Sequence, residues 1–249
     1  MKRYYLPLLL ALFVAPMWVT HAAPQTADEV IEKHLAAIGG REALMKLTSR
    51  KATGTITLTS PNGPISGPVE VYAKAPNKTR LYMVLDLTAM GISDKLTLEQ
   101  KFDGTTGWSL NTLQGDRPIT GNQLDNMKNS MFPSPLLNYK AAGTTVELLP
   151  NETVAGKSVI VLRLAPKVGS VTKVFIDPDT YLSIRSSATI NAPEMGGDIE
   201  QVNEASDYRS VDGVKVAFKT TQTAGPQTAT IVLTTVQHNI TIDDVMFVK

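Results

Sequence analysis

Most of this chain alternates between apolar and polar residues, and this period of two constrains the fold more than any other feature. Successive side chains of a β-strand point to opposite faces, so Thr53 to Thr59, Thr79 to Leu87 and Ser158 to Leu164 are predicted strands. Turn-forming pairs such as Asp103-Gly104 and Asp212-Gly213 separate the strands. Comparable stretches are Val69 to Ala73, Ile92 to Phe102, Gly107 to Leu110, Thr144 to Leu149, Val171 to Ile176, Tyr181 to Ile190, Asp198 to Tyr208, Val214 to Thr223 and Thr228 to His238. About eleven strands in this arrangement predict an antiparallel meander that forms a sandwich or a barrel.

Three short helices are predicted to accompany the strands. Thr26 and Glu29 have the spacing of a capping box, and the helix that they begin should stop at Gly39-Gly40. A second helix is predicted from Arg41 to Leu47. A third, from Gly121 to Phe132, interrupts the strands near their midpoint.

One face of the predicted sheet is consistently apolar and must be covered. In Thr79 to Leu87, for example, Leu81, Met83, Leu85 and Leu87 share a face. The predicted helices are too few and too short to fill a barrel of this size. The rest of the interior is therefore either a second sheet layer, giving an ordinary core, or an apolar cavity. Because a protein has few pockets, the alternation alone favours the ordinary core.

The N-terminus has the pattern of a secretory signal. Lys2 and Arg3 precede an apolar run from Leu6 to Val19, and Thr20-His21-Ala22 offers small residues for cleavage. The run has about 14 residues, whereas a membrane span needs about 20. We therefore expect cleavage near Ala22, leaving residues 23–249 as one domain without a transmembrane anchor and located in the periplasm.

Composition removes several classes of function. The chain has no cysteine, which excludes disulfides, thiolate metal sites, cysteine nucleophiles and the lipid attachment of a lipoprotein. Its formal net charge is +1, so no basic face for nucleic acid is expected. We expect a monomer.

No local pattern indicates catalysis, a metal or a cofactor. His34 and His238, the histidines beyond the leader, are interpreted as structural, and motifs for zinc, nucleophilic serine or phosphate sites are missing from the sequence. Asp243-Asp244 is interpreted as part of a solvated tail. The protein is therefore predicted not to be an enzyme, although carboxylates far apart in sequence would leave no such pattern, so that alternative stays open.

Four short segments, taken in order, resemble the periplasmic carriers of the LolA/LolB type, which move outer-membrane lipoproteins. They are Val71 to Asn77 followed by Arg80, Lys101 to Gly104 with Trp108, Lys173 to Ile184, and Asp207 to Val214. The resemblance implies an incomplete, strongly curved β-barrel whose concave side is covered by helices and whose cavity binds acyl chains. The resemblance therefore favours the apolar cavity over the ordinary core.

Under this resemblance the candidate ligand-binding residues fall into two groups. The cavity wall would include Leu81, Met83 and Leu85, and Trp108 is either a wall residue or a structural side chain, in the core or as a cross-strand partner. The helical lid would include Leu124, Met127, Met131 and Phe132, of which methionine suits an adaptable apolar site. The implied function is that of a periplasmic carrier or binding protein for lipid, acyl chains or lipoproteins, with inner- or outer-membrane transport proteins as further partners. A protein-interaction or envelope-sensing module on the same scaffold is the alternative.

One departure separates the chain from LolA proper. LolA has an arginine immediately before the proline of the first segment, where it holds the lid shut, and this chain has Ala75 there. The resemblance therefore indicates a LolA-like binder of another lipid or apolar ligand.

Overall fold

A computed structural model describes residues 25–59, 63–88, 91–92, 95–192 and 197–249. The predicted leader, residues 1–22, lies outside the described residues. The described part contains thirteen strands in one antiparallel sheet that is not closed into a barrel, together with three α-helices. The predicted half-open, β-rich fold with helices is confirmed.

The strands follow the predicted alternation closely. They are β1 (Ser49–Thr59), β2 (Ile65–Lys74), β3 (Lys78–Asp86), β4 (Lys95–Phe102), β5 (Gly107–Asn111), β6 (Arg117–Ile119), β7 (Thr145–Val154), β8 (Lys157–Ala165), β9 (Thr172–Ile176), β10 (Ser183–Ala192), β11 (Gly197–Val211), β12 (Val214–Ala224) and β13 (Gln227–His238). The sequence missed β6, which is only three residues long and contains Pro118. A proline is tolerated there because β6 is at the edge of the sheet, where its missing N–H breaks no ladder.

Two meanders make up the sheet. Strands β1 to β6 pair in sequence, as do β7 to β13, and the first strand joins the two sets by pairing with the last. At this junction the register shifts between Thr53 and Gly54. A Cβ at Gly54 would lie 2.2 Å from the Val232 carbonyl oxygen, so only glycine permits this close approach. Such a bulge bends the sheet.

The helices are α1 (Ala27–Ala37), α2 (Arg41–Met45) and α3 (Gly121–Asn129), as predicted within a few residues. The capping box at α1 is formed: the Glu29 amide donates to Thr26 Oγ1, and the Glu29 carboxylate accepts from the Thr26 amide. After Ile38, the backbone at Gly39 comes so close to the β11–β12 turn that a Cβ at Gly39 would lie 2.7 Å from the Gly213 carbonyl oxygen. This contact brings the end of α1 onto the β11–β12 turn.

The helices α1 and α2 cover one end of the concave face of the sheet, which we call the closed end. Val30, Ile31 and Leu35 of α1 are fully buried against strand residues that include Val216 and Phe218. Full burial of such side chains contributes about 1.5–3 kcal/mol each. Other members of this cluster are Leu44, Leu47, Ala73, Phe132, Leu136, Leu137, Tyr139, Ile160, Leu162, Leu164, Ile176 and Val214.

The C-terminal segment packs on the opposite, convex face, so its interpretation as a solvated tail is wrong. Phe247 is 1% exposed and contacts Tyr72 and Ile242. The Asp244 carboxylate accepts hydrogen bonds of 2.8 Å from both Lys74 and Lys78, which lower its pKa to about 2. The adjacent aspartates Asp243 and Asp244 do not reveal that the apolar residues on either side of them, Ile242 and Phe247, pack on a face of the sheet.

Candidate ligand-binding cavity

Beyond the closed end, the concave face surrounds a cavity of about 970 Å³. This volume falls within the range of about 300–1,000 Å³ that is usual for sites of small molecules. Strand register decides which side chains reach the cavity, because directly opposite residues of an antiparallel pair share a face. The lining is chemically divided.

The first part of the lining is an apolar wall built by strands of the first meander together with β13. Register places Met83 opposite Leu98, and Ile56 opposite Ile231, so their side chains form rows across the strands. The apolar wall consists of Ile56, Leu58, Leu81, Met83, Leu98, Ala229 and Ile231. Each of these strands contributes every second residue, which is the period seen in the sequence.

The second part is a band of uncharged polar side chains from β10, β11 and β12. Asn203 lies directly opposite Gln222 on one side and opposite Ser186 on the other. We call Ser186, Gln201, Asn203, Thr220 and Gln222 the polar band; all of them line the cavity. Beyond β10 the lining becomes mixed, with Val174 and Leu164 beside Thr172.

Helix α3 and the residues that follow it, 130–136, form a lid over the cavity. On one side the lid is tied to the β8–β9 loop: the Ser170 amide donates to Asn126 Oδ1 at 2.7 Å, and Asn129 Nδ2 donates to the Val168 carbonyl at 2.7 Å. On the other side the Phe132 amide donates to the Pro76 carbonyl oxygen at 2.8 Å. Backbone and amide contacts therefore hold the lid.

The Phe132 ring closes the boundary between the lid and the closed end. It is 8% exposed, and the Arg50 guanidinium lies 5.6 Å from its centroid, a distance at which a cation is attracted to a ring. Burial lowers the pKa of Arg50. Arg50 Nε is buried without a hydrogen-bond partner among the described residues.

The cavity has little charge. Of the described lining residues, Arg117 alone carries a fixed charge, and its side chain is exposed on β6. His34 also lines the cavity. Burial lowers its pKa, against the effect of a 2.8 Å hydrogen bond between Nδ1 and the Tyr181 carbonyl oxygen. Because a carbonyl oxygen only accepts, Nδ1 carries the proton. Burial disfavours the charged imidazolium, so the ring is neutral near pH 7.

Three of the predicted site residues line the cavity: Leu81, Met83 and Met127. Leu85 is fully buried beside them on the same face, and Leu124 packs on Gly107 at the edge of the sheet. Phe132 belongs to the core of the closed end. Met131 does not line the cavity either.

Trp108 is on the convex face, away from the cavity. It lies opposite Lys101, Lys101 lies opposite Arg80, and Arg80 lies opposite Tyr72, along the row that the C-terminal segment covers. The Lys249 ammonium is 4.3 Å from the centre of its ring. Of the two interpretations of Trp108, the structure favours a structural cross-strand partner.

Sequence reasoning missed the polar band and the contribution of β13. A signal was present: Thr220 and Gln222 continue the spacing of Val214, Val216 and Phe218 and therefore share their face. Among the described residues, no group of three or more His, Asp and Glu side chains could hold a metal ion. Within the same residues, no helix is both long enough and apolar enough to cross a membrane.

Three solved structures share this architecture over nearly their whole length. A domain described as an outer membrane lipoprotein-sorting protein domain, from Vibrio parahaemolyticus, is 11% identical with a TM-score of 0.57; the match covers 88% of this chain and 95% of that one. A LolA superfamily protein from Nitrosomonas europaea is 13% identical with a TM-score of 0.55, over 90% and 98% of the two chains. The fold is LolA-like. A DUF1329 family protein from Desulfovibrio piger is 12% identical with a TM-score of 0.56, over 88% and 96%.

The LolA-like resemblance drawn from four short sequence segments is thus confirmed at the level of fold. No protein-family model matches the chain, and no curated protein matches it significantly.

Proposed function

We propose that this LolA-like protein binds the hydrocarbon chain of a lipid or of a lipid-modified protein in its cavity and carries it through the periplasm without covalent chemistry. The observation that carries the proposal is the apolar wall, which faces an unfilled volume of about 970 Å³ under a lid. Apolar side chains that face unfilled space favour an apolar ligand, since each Å² removed from water stabilises the complex by about 25 cal/mol. The export pattern at the N-terminus supports the periplasmic location.

Two adjacent residues of β13 give a matched test of this proposal. Ile231 lines the cavity, whereas Val232 points to the convex face and is 43% exposed. An environment-sensitive fluorescent fatty acid would be titrated into delipidated protein, because Trp108 is on the convex face and does not line the cavity. Ile231→Asn places an amide in the apolar wall, and we expect at least about tenfold weaker binding, equivalent to about 1.4 kcal/mol.

Val232→Asn is the control and should bind the probe within about twofold of the wild type, since surface changes have small effects. Circular dichroism would verify that both variants fold. If the wild-type protein binds no acyl probe and carries no lipid in native mass spectrometry, the proposal is wrong. Capture of a protein partner that survives Ile231→Asn would then favour an interaction module.

A further inference from the structure

The polar band lies beside the apolar wall in the same cavity, and the change from one to the other is abrupt. One row of the concave face runs Ser186, Asn203, Gln222, Ala229 and Leu58, as the register of five neighbouring strands shows. Neighbouring strands are about 4.8 Å apart, so amides give way to hydrocarbon over a single strand spacing. A ligand lying across the strands would therefore contact polar groups at one end and apolar groups at the other.

The amides of the polar band are free to bind a ligand, unlike those of the lid. In α3, Asn122, Asn126 and Asn129 are hydrogen-bonded to each other or to the β8–β9 loop and so fasten the lid. By contrast, the side chains of Asn203 and Gln222 have no hydrogen-bond partner among the described residues. Each such amide offers two donors and one acceptor oxygen.

The type of polar group also limits the ligand. Amides and hydroxyls both donate and accept, which suits hydroxyl groups, whereas phosphate, sulfate or carboxylate groups are usually bound by arginine or lysine. Of the described lining residues Arg117 is the sole fixed charge, and it lies on the edge strand β6, across the apolar wall from the polar band.

We infer that the ligand is an amphiphile with an uncharged, hydroxyl-rich head, such as a sugar-headed lipid, whose head lies on the polar band and whose hydrocarbon chain lies on the apolar wall. This inference rests on the proposed function, because it assigns the head of a ligand whose tail that proposal places. It adds a selection among lipids that an apolar cavity alone does not provide.

The test compares probes that share one tail. Dodecyl maltoside, dodecylphosphocholine and dodecyl sulfate, each below its critical micelle concentration, would compete with the fluorescent fatty acid for delipidated protein. We expect the maltoside to compete at least about tenfold better than the other two, a preference that corresponds to the loss of a small number of hydrogen bonds. In Asn203→Leu/Gln222→Leu this preference should disappear while the fluorescent fatty acid still binds.

Val202 and Thr223 provide the control, because they are the neighbouring directly opposite pair and face the convex side. Val202→Leu/Thr223→Leu should keep the wild-type preference. If all three heads compete equally, if dodecyl sulfate competes best, or if the cavity variant keeps its preference, the inference is overturned while acyl binding still supports the proposed function. If no probe binds at all, both fail.

Discussion

The two ends of one strand face show how this fold makes a core at one place and a cavity at another. On β12, Val214, Val216 and Phe218 are buried, whereas Thr220 and Gln222, in phase with them, are exposed. The backbone is a regular strand throughout, so the sheet itself does not cause the difference. What differs is the helix above: α1 and α2 pack on the first three side chains, and α3 lies above the cavity at the other end.

The helices themselves differ in the same way. Helix α1 has a complete capping box and buries Val30, Ile31 and Leu35 completely. Helix α3 has no side-chain cap at its N-terminus, and none of its residues is fully buried. A helix that packs is part of the core, and one that is attached by amide hydrogen bonds at its sides leaves space beneath it.

Truncation on β12 gives the largest expected effect and tests the contrast directly. Phe218→Ala removes a ring that is 5% exposed and contacts the closed end, and should lower the free energy of unfolding by about 3–5 kcal/mol. Gln222→Ala, four residues along the same face, should change it by less than about 0.5 kcal/mol. Urea unfolding followed by circular dichroism measures both. Equal losses would mean that the cavity end is packed as tightly as the closed end.

His34 sits where the two ends meet, and a pH series should reveal its burial. Because burial lowers the pKa of His34 in the folded protein, the unfolded chain binds a proton at a higher pH than the folded chain. The contribution of neutral His34 to the free energy of unfolding is therefore fully present above pH ~6.5. It is lost as the pH falls below that value, by at most about 1.4 kcal/mol per pH unit. Burial lowers the pKa of His238 too, so the wild type reports both residues.

The His34→Asn variant separates the two histidines. Asparagine can still donate to the Tyr181 carbonyl oxygen but does not titrate, so the variant should lose part of the stability change between pH 7.5 and pH 5. Carboxylates whose hydrogen bonds lower the pKa, such as Asp28, Asp177 and Asp207, titrate below this window and do not contribute to the change. An unchanged pH profile in the variant would assign the whole effect to His238.

The smallest expected effect tests whether α1 holds the closed end together. Thr26→Ala removes the hydroxyl that accepts from the Glu29 amide and should cost about 1 kcal/mol. Thr120→Ala at the start of α3 is the matched control, because the Thr120 side chain makes no cap hydrogen bond. A loss at Thr120 equal to that at Thr26 would contradict the distinction between the two helices. Thermal unfolding at neutral pH measures both.

Residue patterns within short stretches of the sequence predict much of the architecture. Alternation located all strands except β6, and the Thr26–Glu29 spacing placed α1, because strand period and helix capping depend on residues close together in sequence. The same period identified Leu81 and Met83 as residues on a shared apolar face. It could not separate them from Leu85, which is on that face and fully buried.

The amino-acid sequence by itself determined which residues form strands and helices and which strand faces are apolar, since these depend on neighbours along the chain. Only the tertiary structure decided that β1 pairs with β13, that Trp108 and Phe247 belong to the convex side, and that Asn203 and Gln222 face the same space as Ile231. These outcomes depend on register between strands distant in sequence and on how far each helix reaches across the sheet. Neither is encoded in the period of a single strand.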